Sequence, residues 1–221
     1  MKSYRLAIFD WDGTIMNSEA RIVDAIKMAA RECGLNILPD EVNKQIIGLS
    51  LDKAILGLYP DLSQEMVVKM AEAYTRSFLE DSDVHMVPFD GAEALLYGLR
   101  QSGFKLAIAT GKSRKGLNQV LKECGFGVYF DMTRTPVESA SKPDPLMLHQ
   151  ILEQLDVPVE EAVMIGDTTF DMEMAQNCGM DRIAISHGVH HMHQLEAFDP
   201  VAKVDSLGEL MQFLMTHAPR V

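Results

Sequence analysis

At 221 residues, 47% of them hydrophobic, the chain is long enough to bury a sizeable core in one or two domains. Its formal net charge of -12 excludes DNA, RNA or an anionic membrane surface as the main partner, because those contacts rely on Lys and Arg neutralising phosphates. A small anionic substrate is compatible with that charge, since a global field is screened within ~8 Å at physiological salt and a locally cationic pocket can outweigh it.

The first apolar run, Leu6-Ala7-Ile8-Phe9, is too short for a secretory signal and is followed at once by acids. No run approaches the ~20 residues needed to span a bilayer. Cys33, Cys124 and Cys178 each precede or adjoin a glycine near the end of a predicted helix, and they read as reduced thiols of a cytoplasmic protein.

In chain order, residues 6–9 predict a strand covered on both faces of a parallel sheet, because the run lacks polar alternation. Asp10 and Asp12 follow at its carboxyl end, where open α/β sheets place their ligands. Side chains two apart in an extended chain return to one face, so both carboxylates are expected in a single crevice. Gly13 lets the backbone turn away, and Thr14 offers a hydroxyl or an amide to an anion.

Helical periodicity then takes over. Ser18 is a candidate N-cap for a helix with Ile22, Ile26, Ala29 and Ala30 on one face. A second helix runs from Asp40 through Ile46 and Ile47 to Gly48, a third starts at Ser50, and Ser63 opens a longer one through Met70 and Phe78. No strand is expected between residues 16 and 85. After Pro88, Asp90 and Glu93 suggest a capping box. Strands are predicted at 105–109, 130–133, 162–165 and 182–185, each alternating with a helix, and Ser206 caps a last helix. This alternation implies parallel βαβ units. The expected class is α/β, a doubly wound, mostly parallel, Rossmann-like sheet. Residues 1–15 and 86–221 would form the core, and 16–85 an inserted all-helical domain.

Four acids therefore sit at strand ends or the turns after them: Asp10, Asp12, Asp167 and Asp171. Like charges in one crevice are costly unless a cation joins them, and all-oxygen ligands favour Mg2+. Thr110 and Gly111, directly behind the 105–109 strand, can present a hydroxyl and an amide to a phosphoryl oxygen. Lys142, followed by Pro143, adds a point charge on a stiff loop.

Taken in order, Asp-x-Asp-Gly-Thr, Thr-Gly, Lys-Pro and Gly-Asp-x-x-x-Asp resemble the four motifs of the haloacid dehalogenase-like phosphatases, closest to the phosphoglycolate-phosphatase-like branch. The resemblance spans essentially the whole chain, helical insertion included. It implies Asp10 as nucleophile, Asp12 as general acid and base, and Thr110, Gly111 and Lys142 as holders of the phosphoryl group. It also implies Mg2+ on Asp10, Asp12 (through its carbonyl) and Asp167, with Asp171 steadying the metal's surroundings. The expected activity is hydrolysis of a small phosphorylated metabolite through an aspartyl-phosphate; a phosphosugar mutase and a non-catalytic phospho-ligand-binding module are the alternatives, and monomer and homodimer are both open. Arg114, whose guanidinium can fork onto a carboxylate or second phosphate, is a candidate for substrate binding, with Glu19, Gly48 and Lys112 nearby. His187, His190, His191 and His193 crowd the loop after the 182–185 strand and read as polar loop residues rather than as a second metal site.

Overall fold

The structure, a computed structural model, describes residues 2–219. Leu6–Phe9 forms β1 at the centre of a six-stranded sheet, flanked by β4 (Lys105–Ala109) and β6 (Ala162–Gly166). With β5 (Met132–Arg134), β7 (Asp181–Ile185) and β8 (Ala202–Val204), the strand order is β5-β4-β1-β6-β7-β8 and every pairing is parallel. All carboxyl ends thus lie along one edge. The chain adds β4 and β5 on one side of β1 before returning to build the other, so the topological switch point falls between β1 and β6.

Both faces of the sheet are covered, as the unbroken apolar runs require. Ala7 and Phe9 point into one core with Leu95, Leu96 and Leu99 of α5 (Ala92–Gln101) and Leu207, Leu210 and Leu214 of α10 (Leu207–Thr216). Leu6 and Ile8 point the other way, against Met147 and Ile151 of α7 (Leu146–Leu155) and Met174 of α8 (Thr169–Cys178). This alternation within β1 is the two-residue period of a strand.

Between β1 and α5 lie four helices: α1 (Glu19–Glu32), α2 (Asp40–Lys44), α3 (Leu51–Leu58) and α4 (Gln64–Arg76), the last continuing into a π-helical turn at Ser77–Asp81. The insertion is entered through β2 (Met16–Asn17) and left through β3 (Val87–Pro88), which pair antiparallel. These two-residue strands, absent from the sequence expectation, are too short to show alternation. Three further differences have local causes. α2 stops at Lys44 because it has no apolar face to bury, Val42 being exposed. Asp90 and Glu93 form no capping box, since Gly91 occupies the N-cap at φ +83°. The loop with the histidines contains a short helix, α9 (Met192–Leu195), and β8 follows it. Among the described residues no helix is long and apolar enough to cross a membrane.

Candidate active site

Asp10 leaves the end of β1 fully buried, its amide held by the Ile165 carbonyl of β6 at 2.9 Å. Trp11 turns to the opposite side, packing edge-on to Phe130 at 6.4 Å, and Asp12 returns to the crevice side. From the neighbouring strand end come Asp167 and, one helical turn on, Asp171. One oxygen from each of Asp10, Asp167 and Asp171 lies within 4.8 Å of the others, the cluster of potential metal ligands among the described residues.

Each carboxylate is held for a separate reason. Asp171 sits at the third position of α8, where a carboxylate reaches back to the N-cap: its Oδ2 accepts from the Thr168 amide at 3.0 Å and hydroxyl at 2.7 Å. That leaves Oδ1 facing Lys142 Nζ at 2.5 Å. Asp167 accepts the Thr14 hydroxyl on Oδ1 and the Val189 amide on Oδ2, both at 2.8 Å. Gly13, at φ +82°, makes room for it; a Cβ there would lie 2.2 Å from Asp167 Oδ2. Asp10 differs from both. Lys142 Nζ lies 2.8 Å from its Oδ1 as an ion pair, yet neither carboxylate oxygen receives a hydrogen bond of good geometry.

Three buried carboxylates against one buried ammonium leave the cluster two charges short of balance. Burial pushes the Asp10 carboxyl well above its ordinary value, Lys142 pulls it back, and Asp171 and Asp167 push it up again. Asp167 is pushed up to about 7 by burial and the charge of Asp171, against the pull of the Val189 amide and Thr14 hydroxyl. For Lys142, burial works against the charged form, but Asp10 and Asp171 outweigh it and hold the ammonium protonated. The sequence suggested a loop lysine; the fold makes it the buried hub of the cluster. A hard divalent cation fits this donor set, since it would supply the missing charge and occupy one of the unbonded oxygens of Asp10.

Asp12 stands apart from that cluster. Its Oδ1 accepts the Ser18 hydroxyl at 2.6 Å and pairs with Lys112 Nζ at 3.2 Å. The Lys112 ammonium is also 4.1 Å over the Phe78 ring. Ser18, expected as a helix cap, makes no side-chain cap bond: its backbone is in the helical region at φ -115°, ψ -2°, and its hydroxyl turns to Asp12. Neither contact was visible in the sequence, where Ser18 looks like any N-cap and Lys112 like any loop lysine.

Thr110 is buried, its hydroxyl accepting the Lys112 amide at 3.2 Å. Gly111 lies under the insertion: a Cβ there would meet the Gly48 and Leu49 carbonyl oxygens at 2.4 Å each. The Ser50 amide donates to Ser141 Oγ at 2.9 Å, a second contact from the insertion to the loop carrying Lys142. The insertion is therefore seated directly on the carboxyl edge. Arg114 is not part of this arrangement. Its guanidinium is engaged by Glu138 and by Thr133, the latter at 2.7 Å to the hydroxyl, so it braces α6 (Arg114–Cys124) against β5.

The histidines also have structural partners. His187 donates from Nε2 to the Thr14 carbonyl at 3.0 Å and stacks on Phe89 at 3.9 Å, and His190 Nδ1 accepts the Thr169 amide at 3.0 Å. Burial lowers the affinity of both for a second proton. They brace the turn that delivers the Val189 amide to Asp167.

A doubly wound sheet carrying an acidic cluster and a buried lysine at its switch point, roofed by a helical insertion, defines a Rossmann-like α/β fold with its chemistry at the carboxyl edge. Residues 7–185 match the family model described as haloacid dehalogenase-like hydrolase, and the chain belongs to that family. It is 26% identical to a phosphoglycolate phosphatase of Vibrio cholerae, over 99% of this chain and the whole of that one. To the pyrophosphatase PpaX of Bacillus mycoides it is 28% identical, over 94% of this chain and 95% of the relative. Among solved structures, a hydrolase from Pseudomonas syringae superposes with a TM-score of 0.88 over 99% of this chain and all of that one, at 24% identity, a likeness of fold.

Proposed function

We propose that this protein is a Mg2+-dependent phosphatase that hydrolyses a phosphate monoester of a small metabolite through an aspartyl-phosphate, with residues 16–85 acting as a cap on a core made of 1–15 and 86–221. One observation carries this reading: Asp10 is fully buried at the switch point with both oxygens free of hydrogen bonds, beside an ammonium and two acids that are otherwise well held.

In this reading Asp10 attacks phosphorus and the bond from phosphorus to the alcohol oxygen breaks, while Asp12 gives its proton to the departing oxygen. Water then attacks the aspartyl-phosphate, Asp12 takes its proton, and inorganic phosphate leaves with Asp10 restored. Lys142 donates to Asp171 and pairs with Asp10 by charge, and a remaining N–H of its ammonium can steady a phosphoryl oxygen together with Thr110 and the Gly111 amide. Asp10, Asp167 and the Asp12 carbonyl would hold the Mg2+, with Asp171 in support, and the ion would screen Asp10 from the dianion it must meet. The contrast between the two carboxylates, one desolvated among acids and one paired with Lys112 and Ser18, separates nucleophile from proton carrier.

Related chains of similar identity are named for phosphoglycolate, an ester, and for pyrophosphate, an anhydride. The test is phosphate release from a panel of esters with Mg2+ and with chelator, combined with acid-quench labelling. Label from a phosphate-labelled ester should accumulate on the Asp12→Asn variant and be absent from Asp10→Asn. Turnover without any labelled protein, or label on Asp10→Asn, would remove the covalent step.

A further inference from the structure

We propose that the leaving-group side of this site is built for an apolar, uncharged alcohol, so that the preferred substrate is the phosphate monoester of a short alkyl alcohol rather than of a hydroxy acid or a polyol. This rests on the phosphatase reading of the same site and narrows it.

The observation is a half-open cavity of about 70 Å³ between the insertion and the carboxyl edge. Its core-side wall is Asp12, Gly111 and Lys112, so it begins where the alcohol departs. Its other walls come from the insertion, chiefly Ile26, Ile47, Ile55, Met70 and Phe78. An alkyl group entering it exchanges water for contact with these apolar side chains. On this measure a single water needs about 10–15 Å³, so the space takes about five to seven waters, the room of a short chain.

What the walls lack is as informative as what they carry. The charged side chains on them are Asp12 and Lys112, and the Lys112 ammonium is already committed to Asp12 at 3.2 Å and to the Phe78 face. A carboxylate on the alcohol would therefore meet a neutralised pair and apolar carbon. Of the hydroxyl-bearing wall residues, Thr75 has given its proton to the Ala71 carbonyl at 2.8 Å and Ser113 already accepts the Gly116 amide at 3.1 Å, so beside the Tyr74 phenol the walls offer few polar partners. Several substrate hydroxyls cannot all be satisfied there, and burying a polar group without a partner is costly.

The test is kcat/KM for phosphate release with Mg2+ across methyl, ethyl, propyl and butyl phosphates, alongside glycerol phosphate and 2-phosphoglycolate. The linear alcohols differ little as leaving groups, so the series isolates contact with the cavity. The expected result is a rise of about fourfold per added methylene until the cavity is filled, then a fall. Propyl phosphate should exceed glycerol phosphate and 2-phosphoglycolate by at least about tenfold. Ala54→Leu, which grows into the cavity from α3, should move the optimum to a shorter chain, and Ile55→Val, which removes one methyl from the wall, to a longer one; thermal unfolding by circular dichroism reports that each variant is folded. Rates independent of chain length, or 2-phosphoglycolate or glycerol phosphate as the best substrate, would overturn the inference while leaving a phosphatase in place. Failure to release phosphate from any ester, p-nitrophenyl phosphate included, would instead remove the phosphatase reading and this inference with it.

Discussion

Replacing Asp10 by Asn should abolish turnover and at the same time stabilise the metal-free protein. Asp10 lies within 4.8 Å of oxygens on Asp167 and Asp171, and at an effective dielectric of ~20 each neighbour repels it by roughly 3 to 4 kcal/mol. Lys142, at 2.8 Å, returns about 6 kcal/mol on the same scale, so charge alone leaves a net repulsion of about 1 kcal/mol. Burial of the carboxylate adds its own penalty, and it is the largest influence on this group. Asparagine keeps the volume, removes the charge and breaks no hydrogen bond, because Asp10 accepts none of good geometry. We expect a gain of about 1–3 kcal/mol in chelator near pH 8, seen as a melting temperature higher by about 3–10 °C for a chain of this size. Thermal unfolding by circular dichroism, with and without Mg2+, measures it, and phosphate release gives the activity. In the wild type a hundredfold excess of Mg2+ over its Kd should add about 2.7 kcal/mol, and Asp10→Asn should gain clearly less. A variant that melts lower than wild type in chelator would refute the claim that the cluster is under-neutralised, and one with wild-type turnover would refute the nucleophile.

Two further outcomes follow from the same geometry. Asp167 is pushed up to about 7 in the folded protein against an ordinary value of 3.8, so the unfolded chain gives up this proton first. Metal-free stability should therefore fall as pH rises from about 4 through about 7, by up to ~1.4 kcal/mol per unit, and Mg2+ should flatten the decline. The difference between wild type and Asp167→Asn in urea midpoints across that window isolates the group, and a difference that grows in favour of wild type as pH rises would contradict it. Gly111→Ala puts a Cβ where the Gly48 and Leu49 carbonyls sit, forcing the insertion off the site. We expect kcat/KM to drop about a hundredfold, as misplacement by an ångström can cause, with faster hydrogen exchange at the amides of residues 48–50. Unchanged kinetics would show that this seating is unimportant.

The sheet was legible because buried parallel strands must be apolar on both faces: the runs at 6–9, 105–109 and 162–165 carry no polar alternation, and an acid or Thr follows each at its carboxyl end. Asp10, Asp12, Asp167 and Asp171 could be named as a group for the same reason, since parallel strands deliver their carboxyl ends to one edge whatever the loops do. Short elements were not legible. β2 and β3 are two residues each and have no period to detect, although they mark the entry and exit of the insertion.

Which cation pairs with which acid was decided only by tertiary structure. In the sequence Lys112, Arg114 and Lys142 are all candidates for the site, but nothing there says which acid each would meet. Folding places Lys142 between Asp10 and Asp171, Lys112 between Asp12 and the Phe78 ring, and Arg114 on Glu138, away from the crevice. Local sequence sets the backbone that each strand and turn can adopt. Where a flexible side chain ends depends on burial and on charges brought together from positions as far apart in the chain as Asp10 and Lys142, and those exist only once the sheet has closed and the insertion has settled on its edge.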